Sequence, residues 1–512
     1  MKSLGLPDQN SDPKDRTARS VRQASSSAAA WEFSAVGLIT LVAALLRFLS
    51  LSQKSFWFDE GVSVAIARLP LYDFLRILWR REANMSLYYL LLRGWLYLGH
   101  SEGWVRSLSA LFAIATVPLV YWVGRKMFDA RIGAIAAALL AVNAYHIRYA
   151  QEARSYALFT LLATLSVGFL WNCATSNSAS SRRWHIVTSV LTIYAHFYGV
   201  LLVVSEWAWA RFGSGFALMV HRNWRRILVF ASPTLLFVLL TGAGPLAWIP
   251  RPGFSEVYQF SLALCGNGGR SLLLLYVVCI TTASVSSRTA AEPTDIGRSA
   301  TRLLLLWLAL PPLLILLVSQ ARPVFLGRYF VFTLPALVLL AARGITRMSG
   351  RWIPPLLLAL VLFLSLRGTQ SYYAHDFDIE REDWRSATSY VLANAQTGDA
   401  VIFYTVMGRM PYEYYRWNQP GPEVLCPHHG EAVSFRDFLG HPDLAILQPS
   451  FAQHPRVWLI LSHNQRGLGQ GPDAATALLA AALANAYPKA QPLEFPGIQV
   501  RLYASAPANG GR

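Results

Sequence analysis

The run Arg302-Leu303-Leu304-Leu305-Leu306-Trp307-Leu308-Ala309-Leu310-Pro311-Pro312-Leu313-Leu314-Ile315-Leu316-Leu317-Val318-Ser319 carries a single charge, at its first residue. A helix needs about 20 apolar residues to cross a bilayer, so this stretch reads as a membrane span rather than a soluble core helix. Working outward, comparable runs fall near 33–51, 104–124, 132–150, 155–172, 227–249, 270–286, 324–342 and 352–367. Composition agrees. Of 512 residues 54% are hydrophobic and only 14% charged, against roughly 25% charged in soluble proteins. From Gly368 onward charge, Pro and His return at the density of a water-soluble domain.

Two stretches are ambiguous, and the basic loops decide both. The N-terminal tail holds Lys2, Lys14, Arg16, Arg19 and Arg22, which the positive-inside rule keeps in the cytoplasm. If 86–99 lies on the membrane without crossing it, then Arg125, Lys126 and Arg131 fall inside. So do Arg182-Arg183, the cluster Arg222, Arg225 and Arg226, and the group Arg343, Arg347 and Arg351. For the same reason 184–212 must cross twice, broken around Ala195-His196-Phe197-Tyr198-Gly199. The expectation is a mainly α multi-pass membrane protein with about eleven spans. Residues 1–30 form a flexible cytoplasmic tail, 31–367 the membrane domain with a large outer loop at 52–103, and 368–512 an extracytoplasmic domain. The net charge of +17 therefore records topology and attraction to anionic lipid, not nucleic-acid binding. Cys173, Cys265, Cys279 and Cys426 show no metal-ligand spacing.

With sidedness set, the chemically useful residues collect on the outer side. Trp57-Phe58-Asp59-Glu60 follows the first span closely. Paired carboxylates at that depth cost desolvation energy unless they meet cations, a metal or a substrate; alternatively, they cap the helix expected to begin near Gly61. Tyr145-His146-Ile147-Arg148-Tyr149-Ala150-Gln151-Glu152-Ala153-Arg154-Ser155-Tyr156 is a polar turn between two spans, with Glu152 and Arg154 at the boundary. Arg322-Pro323-Val324-Phe325-Leu326-Gly327-Arg328-Tyr329 opens a later span with arginines on the side where they are disfavoured, which a phosphate ligand explains. Together these suit a substrate that is lipid and anion at once: a carboxylate takes a proton from an attacking hydroxyl while guanidinium groups steady a departing phosphate.

These pieces resemble the GT-C class of membrane glycosyltransferases. The likeness is to the broad bacterial group related to protein O-mannosyltransferases and lipid A aminoarabinose transferases, glycosyltransferase family 39-like. It also rests on Leu87-Tyr88-Tyr89-Leu90-Leu91-Leu92, Arg106-Ser107-Leu108-Ser109-Ala110, Tyr194-Ala195-His196-Phe197-Tyr198-Gly199, Arg328-Tyr329-Phe330 and Asp383-Trp384-Arg385, and covers about residues 35 to 420. The resemblance implies a GT-C fold with interfacial helices in the first outer loop, sited in a bacterial inner membrane. It implies a polyprenyl-phosphate sugar donor, a glycan, lipid or protein acceptor in the cell envelope, and inverting transfer. Asp59 would be the catalytic carboxylate with Glu60 beside it. Glu152 and Arg154 would hold the donor phosphate or a divalent metal ion, with Arg106, Arg328 and Tyr329 as further donor-phosphate or metal-binding positions. Many relatives have His-Pro-Pro before the Leu-Tyr-Tyr-Leu run; here Asn84-Met85-Ser86 stands there, which argues against a tightly bound metal. His146 and His196 read as structural residues at the membrane boundary.

Residues 369–512 read as a small α/β domain with a mainly parallel sheet. Helices are expected near 383–395, 408–417 and 473–487, and strands at Ala400–Tyr404, Arg456–Leu461 and Gln499–Tyr503. Cys426 with His428-His429 lacks a second ligand pair for a metal. The domain is expected to roof the site or bind the acceptor. Two competing readings are a transporter or lipid flippase, favoured by Glu206 and the broken 184–212 region, and an anchored binding protein, which leaves Asp59, Glu60, Glu152 and Arg154 without a task.

Overall fold

The computed structural model describes residues 13–213, 217–241, 249–285, 294–375, 381–428, 430, 432–439, 442–463 and 473–505. Residues 1–12 lie outside these, and helix α1 (Pro13–Phe48) begins within the stretch expected to be a flexible tail. Three short helices follow, in the loop that the sequence places outside, α2 (Phe58–Arg68), α3 (Leu71–Arg80) and α4 (Ser86–Trp95). At 10 residues, α4 is half a span's length.

The membrane body continues with α5 (Glu102–Met127), α6 (Ala130–Ala141), α7 (Ala144–Ala150), α8 (Tyr156–Ser176), α9 (Ala179–Ala195), α10 (Gly199–Gly213) and α11 (Ala217–Thr241). Then come α12 (Phe254–Leu264), α13 (Gly269–Ser284), α14 (Thr294–Ala321), a 3-10 segment at Gly327–Thr333, α15 (Leu334–Arg347) and α16 (Ile353–His375). Among the described residues seven helices are long and apolar enough to cross, and two further pairs, α6 with α7 and α12 with α13, do so if each is one span bent by 63° and 79°. The expected total of about eleven needs α9 and α10 as well. These have 17 and 15 residues, at and below the lower limit of about 17 for a crossing. They meet at the predicted break, where His196 ends α9 in extended backbone.

Apolar residues lie on both sides of this body, as lipid requires. Leu239 is 80% exposed and Leu317 71%, whereas 94% of the window through the 3-10 segment and α15 is buried. Small residues let this central span pack closely: a Cβ on Gly344 would sit 1.9 Å from the Cys279 carbonyl oxygen of α13.

The C-terminal domain contains α17 (Trp384–Asn394), β1 (Ala400–Tyr404), α18 (Arg409–Arg416), β2 (Glu423–Cys426), α19 (Leu444–Phe451), β3 (Arg456–Leu461), α20 (Ala474–Ala486), β4 (Lys489–Phe495) and β5 (Ile498–Ala504). The sheet order is β2-β1-β3-β5-β4. β1 runs parallel to β2 and β3, but β5 pairs antiparallel with both β3 and β4. The sheet is mixed, correcting the mainly parallel expectation. The cause is the β4–β5 hairpin through Gly497, which adopts φ +64, a left-handed conformation that favours glycine. β1 is buried on both faces, Ala400 and Ile402 on one side and Val401 and Phe403 on the other, which explains its unbroken apolar sequence.

This domain packs directly on α2 and the residues around it. Gly61 of α2 makes the contact possible, since a Cβ there would lie 2.6 Å from the Pro411 Cβ of α18. Phe56 N donates to Tyr415 Oη at 2.6 Å, and Tyr414 Oη donates to the His100 carbonyl at 2.8 Å. Arg385 Nη2 donates to the Ser52 carbonyl at 3.0 Å and pairs with Glu102.

Candidate active site

The site is built on the first turn of α2. Helix starts leave N–H groups without partners and favour negative charge; here carboxylates meet both needs. Phe58 N donates to Glu382 Oε2 at 2.7 Å, and Trp57 N donates to Glu60 Oε2 at 3.4 Å. Glu382 comes from the C-terminal domain, so that domain fixes where α2 begins.

Glu60 is fully buried. Arg106 donates to it through Nε at 2.7 Å and Nη2 at 2.6 Å, Ala153 N at 2.9 Å and Arg381 Nη2 at 3.1 Å. Burial alone would raise its pKa, but the Arg106 and Arg381 charges outweigh this and hold it below the ordinary carboxylate value. Arg106 is equally committed, since its Nη atoms also donate to the carbonyls of Leu51, Lys54 and Ser55. Glu60 and Arg106 therefore form a buried tie between α2, α5 and the end of the first span.

Asp59, one position earlier, points the other way. It is 24% exposed, with Oδ2 at 3.6 Å from Arg154 Nη2 and 4.0 Å from Arg328 Nη1. Arg154 Nη1 also donates to Ser63 Oγ at 3.3 Å and Tyr89 Oη at 3.4 Å. Arg328 lies over the Trp57 ring, 5.4 Å from its centre. One partly open carboxylate thus faces two guanidinium groups at the end of the helix bundle nearest the C-terminal domain.

Stapling of the turn after α7 holds Arg154 in place. Gln151 Nε2 donates to the carbonyls of Arg47 and Leu49 at 3.1 and 2.7 Å, and Tyr372 Oη donates to Gln151 Oε1 at 3.0 Å. Ser109 Oγ donates to the Arg154 carbonyl at 3.2 Å. Glu152 is buried beside Arg148, whose Nε lies 3.4 Å from Oε1, while Oε2 meets no hydrogen-bond partner among the described residues. Burial raises its pKa against the pull of Arg148 and Arg381. Tyr329 joins an aromatic wall, its ring 4.7 Å from His196, 5.2 Å from Tyr198 and 6.5 Å from Tyr156.

Of the residues singled out from sequence, Asp59, Arg154 and Arg328 come together. Glu60 and Arg106 pair behind them, and Glu152 and Tyr329 line the surroundings. His146 Nδ1 sits 2.6 Å from Arg47 Nη2, which also donates to the Leu140 carbonyl and so braces the bend between α6 and α7. Glu206 lies in a closed network: Ser166 Oγ donates to Oε1 at 2.8 Å and His185 Nε2 to Oε2 at 3.0 Å, with Asn223 Nδ2 at 3.2 Å from the other ring nitrogen. It ties α8, α9, α10 and α11 together.

Four residues escaped the sequence reading. Glu82 sits close to Arg154, Asp59 and Tyr89; its enclosed carboxyl and the Asp59 charge push it up to about 7 against the pull of Arg154. In sequence it is one acid after Arg80-Arg81, with nothing to mark it. Arg381 and Glu382 precede the Asp383-Trp384-Arg385 motif but lie outside it. His463 Nδ1 is 2.9 Å from Glu382 Oε1, and its ring is 5.0 Å from Phe58. The hydrogen bond and charge of Glu382 raise its pKa against the effect of burial.

The resemblance read from the sequence implies a divalent metal, so the donor set matters. Among the described residues no group of three His, Cys, Asp or Glu could hold one. His429 lies outside the described residues, and the His428 carbonyl accepts from Arg409 at 2.9 Å. At Asp59 two guanidinium groups already take the cation's place. Among the described residues, those around Asp59 do not form a donor set that fits a resident metal.

No family model matches the chain, and no curated protein matches its sequence. Solved structures do. ArnT from Cupriavidus metallidurans, crystallised with undecaprenyl phosphate, aligns over 94% of this chain and 99% of its own with a TM-score of 0.62 and 13% identity. Its apo form gives the same TM-score at 15% identity. The oligosaccharyltransferase of Archaeoglobus fulgidus, in complex with zinc and sulfate, aligns over 83% of this chain and 67% of its own, with a TM-score of 0.52 and 10% identity. The chain has the GT-C glycosyltransferase fold.

Proposed function

We propose that the protein is a membrane glycosyltransferase that moves a sugar from a polyprenyl-phosphate donor to an acceptor hydroxyl on the outer face of a bacterial inner membrane. The carrying observation is Asp59 between Arg154 and Arg328, with Oδ2 at 3.6 and 4.0 Å from them. The fold shared with a structure that holds undecaprenyl phosphate supports it.

In this reading the donor phosphate takes up the inner guanidinium hydrogens, which frees Asp59 to accept a proton. The acceptor oxygen attacks the anomeric carbon from the face opposite the phosphate, the carbon–oxygen bond to phosphate breaks, and configuration inverts. The acceptor proton passes to Asp59, and the electron pair leaves with the phosphate. A phosphate leaving group needs charge stabilisation more than a proton, so one base and two guanidinium groups suffice, unlike the two carboxylates of a glycosidase. Glu60 serves as a positioning residue, because both its oxygens already accept hydrogen bonds. Arg106 serves the same way. Glu152, walled in beside Arg148, shapes the field around the phosphate, and Tyr329 and the rings around it seat the sugar. No step requires a metal.

The test is transfer from a panel of radiolabelled polyprenyl-phosphate sugars by purified protein, in the presence of membrane lipid, glycan and peptide acceptors. Transfer or slow donor hydrolysis with one sugar supports the reading. No turnover with any donor, together with solute uptake by reconstituted vesicles, would replace it with transport.

A further inference from the structure

Helix α3 presents three different sectors around its axis. Phe74 and Ile77 are buried against the protein, while Leu71, Leu75 and Trp79, spaced by four residues, form an exposed apolar stripe. Beside it runs a second stripe of Tyr72, Arg76 and Arg80, with Arg81 just past the helix end. Apolar residues flanked by arginines on one short helix suit the boundary between lipid tails and headgroups. By the basic-loop topology this helix is on the outer side, where arginines are disfavoured as topology signals.

The arginines line a cavity. It measures about 430 Å³ and is walled by Arg76, Arg80 and Arg81 with Trp79 on one side, and by Phe237 and Leu240 of α11 on the other. Phe237 and Leu240 lie at the end of α11 away from its cytoplasmic arginines, so the cavity joins a basic rim to the lipid-facing flank of a span. Arg76 stacks over the Phe435 ring at 4.0 Å, which holds its guanidinium at the rim.

Nearby acids do not cancel this charge. Among the described residues Arg76, Arg80 and Arg81 form no ion pair. Asp437, beside Phe435, is taken by Arg409 at 2.6 Å. Asp73, one turn before Arg76, lies beyond ion-pair distance, and Glu82 is drawn to Arg154. Guanidinium groups fork onto phosphate oxygens, and an acyl chain would follow Phe237 and Leu240 into the bilayer.

We propose that this cavity between α3 and α11 binds the phosphate headgroup of an anionic membrane lipid, at a site separate from Asp59. A lipid held there would fix the outer loop at the membrane surface, with Glu82 only one residue beyond the last arginine of the rim.

Native mass spectrometry of the purified full-length protein tests this with phosphatidylglycerol and phosphatidylcholine of identical chains. Wild type is expected to retain phosphatidylglycerol preferentially. The triple variant Arg76→Gln, Arg80→Gln, Arg81→Gln should bind it at least tenfold more weakly, with phosphatidylcholine binding and melting temperature unchanged. All three side chains are exposed, so the variant should fold. Arg154→Gln, altered at the reaction site, should bind phosphatidylglycerol like wild type, which separates this site from the proposed reaction. Equal retention of the two lipids, undiminished binding by the triple variant, or loss in Arg154→Gln would each overturn the proposal. So would displacement of the lipid by millimolar inorganic phosphate, which would mark a free-phosphate site instead.

Discussion

Replacing Arg106 by Met leaves Glu60 buried with its strongest partner gone. Arg106 supplies two hydrogen bonds to Glu60 and three to the carbonyls of Leu51, Lys54 and Ser55. Removing one partner of a buried ion pair costs about 3–5 kcal/mol. Ala153 N and Arg381 remain on Glu60 at 2.9 and 3.1 Å, which places the expected loss near the lower end, about 3 kcal/mol. At roughly 2 °C per kcal/mol for a chain of this size, melting in detergent should fall by about 6 °C. The double variant Glu60→Gln, Arg106→Met removes the stranded charge and should recover part of that loss. Acid adds a second check. The Glu60 pKa is depressed in the folded protein, so its contribution is complete above the unfolded value and is lost as pH falls through the folded one. The gap between wild type and Arg106→Met should therefore narrow below about pH 4. An Arg106→Met protein melting within a degree of wild type at neutral pH, with the double variant no different, would refute the assignment of this pair to positioning.

Three further outcomes follow from the geometry. Glu82 holds its proton up to about 7 instead of 4.5, so the folded state should lose stability as pH rises through that window; Glu82→Gln should flatten the melting curve against pH there, and an unchanged slope would contradict the placement. His463 has a raised pKa through Glu382, so its hold on Phe58 should be complete below 6.5 and weaken as pH climbs through the folded value. Hydrogen exchange at the start of α2 should then quicken with pH, after correction for the intrinsic rate, and His463→Gln should remove that dependence. Gly61→Ala puts a methyl against the Pro411 backbone, with its Cβ 2.7 Å from Cα, an overpacking worth about 1–3 kcal/mol; proteolysis between the membrane body and the C-terminal domain should accelerate, and a normal digestion pattern would show that the contact yields.

Sequence revealed what depends on local pattern and on lipid. Leu303 to Val318 announces a span because nothing else tolerates such a run, and the strand Ala400–Tyr404 was legible because both its faces are buried. The edge strand β4 was not, since its residues are almost all exposed and include Pro492, leaving no apolar alternation to detect. The membrane count stayed ambiguous at α9 and α10, short helices whose polar residues turn inward: Ser189 bonds to Ser166 of α8 and His185 to Glu206 of α10. In the site, Asp59, Arg154 and Arg328 stood out because charge at a membrane boundary demands a reason. Glu60 stood out for the same cause, and only the pairing with Arg106 separates its role from that of its neighbour. Glu382 and His463 could not be found that way: they reach α2 from the C-terminal α/β domain, where charged residues are frequent in the sequence.

The central claim is that Asp59 takes the acceptor proton while Arg154 and Arg328 bind the donor phosphate. The most direct measurement is turnover and donor binding side by side, with the radiolabelled polyprenyl-phosphate sugar that the wild type uses, for Asp59→Asn. The substitution keeps the shape and removes the base, so turnover should fall by roughly a hundredfold to ten-thousandfold, while the donor binds at least as tightly because the guanidinium groups lose their competing carboxylate. Turnover near the wild-type rate in Asp59→Asn would contradict the claim.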